Sequence, residues 1–141
     1  MRHLKDIKLN ANYLSDKIKN NFNIYSFNEI VQNISKRIDP QKTDYETYVG
    51  LEHIEPGSIH LRKYGNSSQV KGQKLEVSKG DIIVAKRGFN LLRKLAVSDF
   101  NGICSAHAFV FRANENVILP EILPFFLLSD QFFINFNFLN V

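Results

Sequence analysis

The apolar period of this chain changes twice, and that restricts the folds open to it more than any other feature. Leu4, Ile7, Ala11, Leu14 and Ile18 recur at alternating spacings of three and four, a helical stripe. From about residue 45 the pattern becomes one of short strands between turn residues. After Leu119-Pro120 helical spacing returns at Ile122, Leu123, Phe126 and Leu127. Helices at both ends with strands between them predict the α+β class: a single domain of short, mostly antiparallel strands in a curved sheet, flanked by N- and C-terminal helices. A chain of 141 residues is long enough to bury one sizeable core.

Local signals divide the chain further. Residues 1–24 read as an N-terminal helical extension, and residues 25–141 as the domain proper. Ser26 and Glu29 have capping-box spacing, which predicts a helix carrying Phe27, Ile30, Val31 and Ile34 on one buried face. "TYVGLEHI" and "IHLRKYG" read as a hairpin about "EPGS". "QKLEV" and "DIIVA" are strands about the Lys79-Gly80 turn. "KLAV" and "ICSAHAFVFR" flank Asn101-Gly102, a strong hairpin signal. Within the last of these, Cys104, Ala106, Ala108 and Val110 would share one face, with Ile103, Ser105, His107, Phe109 and Phe111 on the other.

The charge is unevenly spread. Residues 1–56 hold eight Lys or Arg and eight Asp or Glu, whereas residues 57–112 hold ten basic against three acidic, a net of +7. Residues 113–141 hold three acids and no base. The stretch "KGDIIVAKRGFNLLRKLAV" concentrates the excess: Lys86 and Arg87 follow one apolar run, and Arg93 and Lys94 open the next. Burying four like charges is prohibitively costly, so this strand–turn–strand must hold them in water. Two readings follow: a polyanion-binding face, or a solvated strand edge protected by its lysines.

Catalytic and metal-binding patterns are wanting. His53 and His60 are seven apart across a Pro-Gly turn, which is no zinc spacing. Cys104 and His107, three apart on a predicted strand, would face opposite ways. No glycine-rich phosphate loop occurs, and neither does the Asn/Asp-Pro-Pro-aromatic motif of amino-methyltransferases. The sequence therefore calls for no enzyme activity, metal or cofactor. The single cysteine excludes an intrachain disulfide and fits a cytoplasmic location. No apolar run approaches the ~18 residues of a membrane span, and the charged first ten residues lack the apolar core of a signal peptide.

Several pieces in order resemble the target recognition domain of type I restriction–modification specificity (S) subunits. They are Tyr48-Val49-Gly50-Leu51-Glu52-His53-Ile54, Gly80-Asp81-Ile82-Ile83, Gly102 to His107, and Leu119-Pro120-Glu121 before the tail helix. "FNEIVQNISKRI" matches the helix and strand that open such a domain, and the resemblance spans roughly residues 26–134. It implies a DNA-methylase specificity-domain-like fold and a non-catalytic, sequence-specific DNA reader. Each such domain reads one half of a split site, while partner modification (methyltransferase) and restriction subunits methylate and cut. Similar domains also occur fused to methyltransferases in single-chain enzymes.

On this resemblance Lys63, Lys86, Arg87, Asn90, Arg93, Lys94, Ser105 and His107 are the candidate DNA contacts. Basic groups would neutralise phosphates, while Arg, Asn, Ser or His can bond base edges. Residue by residue the alternatives stand: Arg93 or Lys94 capping a sheet edge, and His107 as a satisfied buried histidine. Asp81, after Gly80, reads as a turn former. The family's second domain and long spacer helices are not seen, so the sequence reads as a C-terminally truncated recognition domain or as a half-subunit working as a homodimer. A recognition domain from a fused methyltransferase–nuclease, and a protein-interaction or decoy domain without DNA binding, are the remaining readings.

Overall fold

The computed structural model describes residues 25–86, 93–130 and 132. The 1–24 extension, Arg87 and Asn90 therefore lie outside the described residues. A four-residue helix α1 (Phe27–Ile30) opens the described chain. Among the described residues nine short strands follow: β1 (Val31–Asn33), β2 (Arg37–Ile38), β3 (Thr47–Val49), β4 (Gly65–Asn66), β5 (Lys74–Val77), β6 (Ile82–Ala85), β7 (Leu95–Val97), β8 (Gly102–Cys104) and β9 (Ala108–Ala113). Helix α2 (Leu123–Leu127) closes them. The α+β class and the mostly antiparallel strands are as the sequence predicts.

The strands make two sheets, in place of one. The first has the order β1-β9-β6-β7 and is antiparallel throughout. The second has the order β2-β5-β8-β3-β4, antiparallel except where β3 runs parallel to β8. Ile83, Ala96, Ala108 and Val110 of the first sheet meet Val49, Leu75, Val77 and Cys104 of the second in one core. The opposite face of the first sheet, with Ile82, Val84, Leu95 and Phe111, packs on Leu123, Leu127 and Phe132. The first sheet is thus covered on both sides, which is why all four residues of β6 are apolar and buried without alternation.

Four local expectations give way to this layering. The helix expected to carry Phe27, Ile30, Val31 and Ile34 stops after one turn: Asn114 donates through its side chain to the Glu29 carbonyl and through its backbone to that of Ile30, and Val31 swings out to pair with Ala113. The Glu29 carboxylate still accepts the Ser26 N–H at 2.7 Å. The "EPGS" hairpin does not form. Gly57, at φ 82°, turns the chain so that Ile59 reaches Val97 of the first sheet, and the strand beside β3 is Gly65–Asn66.

The Lys79-Gly80 and Asn101-Gly102 turns exist, but each carries the chain from one sheet to the other and joins no hairpin. Lastly, residues 103–112 are two strands split at Ser105–His107, so the expected alternation ends at Cys104.

A candidate nucleic-acid interface

Where β6 leaves the first sheet, four backbone elements meet. The Lys86 N–H donates to the His107 carbonyl at 3.1 Å, and the Ala85 N–H to that of Lys94 at 3.0 Å. Lys86, the last described residue before the segment that contains Arg87 and Asn90, therefore stands beside His107. The Ser105–His107 turn is itself fastened: Ser105 N–H donates to the Val49 carbonyl at 2.9 Å, and His107 N–H to Ser105 Oγ at 3.1 Å. After β3 the chain makes a tight turn, Leu51–His53, whose Leu51 carbonyl accepts from Lys94 Nζ at 3.0 Å. His53 Nδ1 accepts the Gly50 N–H at 2.9 Å, and its Nε2 stands 3.8 Å from Glu52 Oε1.

The expected contacts other than Arg87 and Asn90 can now be placed. Lys86 and His107 are exposed and adjacent. The Lys86 ammonium stands 4.7 Å from the centre of the Phe109 ring, and no carboxylate lies within 4 Å of it among the described residues. Three of the expected contacts already have polar partners within the fold. Arg93 adopts φ 49°, and its Nη1 reaches Asp130 at 2.7 Å and the Leu128 carbonyl at 3.2 Å, so its charge ties β7 to the end of α2. Lys94 is half-buried and turned inward on Leu51. Ser105 is buried, its hydroxyl occupied by the turn. All three shape the interface, but their polar groups already serve the fold. Lys63 is exposed on the crossing segment before β4.

The remaining chemistry is quiet. Burial, with the Asp81 charge second, pushes the Cys104 thiol up to about 12, and its Sγ lies 3.7 Å from the Ser105 carbonyl. Such a thiol is no nucleophile. Among the described residues no group of three or more His, Cys, Asp or Glu is placed to hold a metal ion. No helix among them is long and apolar enough to cross a membrane.

No family model matches the chain. The type I restriction enzyme HindI specificity subunit of Haemophilus influenzae is 30% identical over 115 residues, 76% of this chain and 24% of that protein. This chain is a relative of the type I specificity subunits. Two solved structures agree on the fold. The HsdS subunit from Thermoanaerobacter tengcongensis superposes with a TM-score of 0.56 at 23% identity, over 67% of this chain and 25% of that one. A structure described as the basis of complex assembly and conformational transition of the type I R-M system gives 0.58 at 22% identity, over 76% of this chain and 31% of that one. The chain thus spans about a quarter of the length of the specificity subunit it matches in sequence.

In this specificity-subunit fold the Lys86–His107 end is one of two polar ends of the first sheet. The other holds a cleft of about 670 Å³ lined by Lys79, Asp81, Arg112 and Glu115 among others. There Arg112 grips the buried Asp81 carboxylate through Nε at 2.7 Å and Nη2 at 2.9 Å, and the formal charges cancel. At the Lys86 end, by contrast, the lysine has no carboxylate within 4 Å among the described residues. Sequence reasoning overlooked Phe109 there. Seeing it requires the β6–β9 register, which is long-range.

Proposed function

We propose that this chain is a target recognition domain that reads DNA sequence for a type I restriction–modification system. Residues 25–141 form the reading domain and residues 1–24 an extension. It performs no catalysis itself. Partner methyltransferase and restriction subunits modify and cut, in the cytoplasm, at a split site of which this domain reads one half. Where two copies are needed to read both halves, the chain works as a homodimer.

The observation that carries this reading is the rigid end of the first sheet. There the Lys86 N–H is bonded to the His107 carbonyl, and the Ser105–His107 turn is fastened to β3. Lys86 suits a phosphate, whereas His107, Arg87 and Asn90 suit base edges. Kinship with a specificity subunit supports the same reading.

Selection from randomised duplex DNA, followed by titration over a range of salt, tests it. One sequence should be enriched, and log K should fall with log salt by about 0.9 per phosphate neutralised. Lys86→Ala should weaken all sequences alike and lower the salt slope by about one. Arg87→Ala should cost about 1–3 kcal/mol and relax preference at one position. Affinity that ignores salt, or a selection that enriches nothing, refutes the proposal.

A further inference from the structure

We infer that Phe109 positions Lys86 for its phosphate contact, an inference that rests on the DNA-reading function proposed above. Val84, opposite Phe109 in the β6–β9 ladder, packs with Phe111 in the outer core. Side chains two apart on a strand share a face, so Lys86 continues the face of Val84 beyond the end of the sheet. Its Nζ stands 4.7 Å from the Phe109 ring centre, within the range of a cation–π interaction.

The ring is itself fixed. Phe109 stacks on Phe111 with centroids 5.5 Å apart and planes within 9°. Phe111 is buried in the outer core and meets Phe27 edge-on at 5.4 Å. A flexible four-carbon stem is thereby referred to the core of the molecule rather than to another mobile side chain.

The choice of partner matters chemically. A carboxylate would hold a lysine equally well, but it would cancel the charge, as Asp130 does for Arg93. An aromatic face attracts the ammonium while leaving its full charge for an arriving phosphate. Part of the freedom a lysine gives up on binding DNA is then given up in advance, which is the benefit of preorganisation.

A double-mutant cycle on DNA binding tests the inference, using Phe109→Leu and Lys86→Ala in the full chain on the selected duplex. Phe109→Leu should weaken binding about two- to fivefold and should add nothing when Lys86 is already alanine. Phe109→Tyr, which keeps the ring face, should bind within about twofold of wild type. In the NMR spectrum without DNA, the Lys86 ε-methylene should be shifted upfield by the ring, and the shift should vanish in Phe109→Leu. Independent, additive losses overturn the inference, as does a tyrosine variant no better than leucine or an unshifted methylene. If the wild-type chain binds no duplex, the reading beneath falls and takes this inference with it. That outcome is distinguishable because it appears in the wild type alone.

Discussion

Four basic side chains with the same formal charge have four different fates here, decided by what stands beside each. Arg112 forks onto a carboxylate that is 1% exposed; Asp81 also accepts the Ser78 N–H at 2.8 Å, closing the turn expected of it. Removing the guanidinium leaves a buried charge with one neutral donor. Arg112→Leu should therefore destabilise the domain by about 3 kcal/mol, and a urea titration measures it. A loss below about 1 kcal/mol would show that water reaches Asp81 once the arginine is gone. Arg93 and Lys94 serve α2 and the Leu51 turn, and Lys86 lies over the Phe109 ring. Cys104 shows the same dependence on surroundings. Its thiol, raised to about 12 mainly by burial, should resist iodoacetamide in the native protein and react once denatured. Labelling at equal rates in both states would contradict its placement between the sheets.

At the scale of elements, the outermost strand of the second sheet is tied in by an ion pair and a hydroxyl. Lys36, just before β2, donates to Glu76 Oε2 at 2.9 Å, and the Tyr45 hydroxyl donates to Oε1 at 2.7 Å. These bonds, that from Lys36 first, hold the Glu76 carboxyl below its ordinary range. A carboxyl depressed in the folded state contributes stability above its unfolded pKa and loses it as pH falls through the folded one. Thermal midpoints of wild type and Glu76→Gln should thus differ most near neutral pH and converge in acid. Parallel curves would remove Glu76 from the acid limb. Legibility follows the same scale. The capping residues, the turn at Asp81 and strands β5, β6 and β7 can be read locally, because each depends on neighbours in sequence. Which sheet a strand joins cannot. At Gly102 a Cβ would lie 2.5 Å from the Thr47 carbonyl and 2.8 Å from the Phe100 ring. That glycine permits a crossing between sheets, although Asn-Gly spells a hairpin. Likewise "ICSAHAFVFR" alternates well enough to pass for one strand, and only the hold of Val49 on Ser105 breaks it. The candidate site was legible as a concentration of cations and illegible as a selection among them.

For the whole molecule, the decisive feature is that one sheet belongs to both cores. Ile82 and Ile83 are neighbours on β6, 2% and 0% exposed; the first faces the α2 side and the second the other sheet. Neither layer can open without uncovering a face of the shared sheet, so the domain should unfold as one unit. The reading end should then be as rigid as the core to which its backbone is bonded. Ile82→Ala and Ile83→Ala should each cost about 2–5 kcal/mol, and each should shift a single transition. Native-state amide exchange supplies the test: the slowest amides of β8, in the second sheet, and of β9, in the first, should share one opening free energy and fall together in either variant. If Ile82→Ala frees the β9 amides while those of β8 stay protected, the two layers are separate units. The Lys86–His107 end would then have to be treated as a movable part, and its fixed geometry could no longer explain sequence reading.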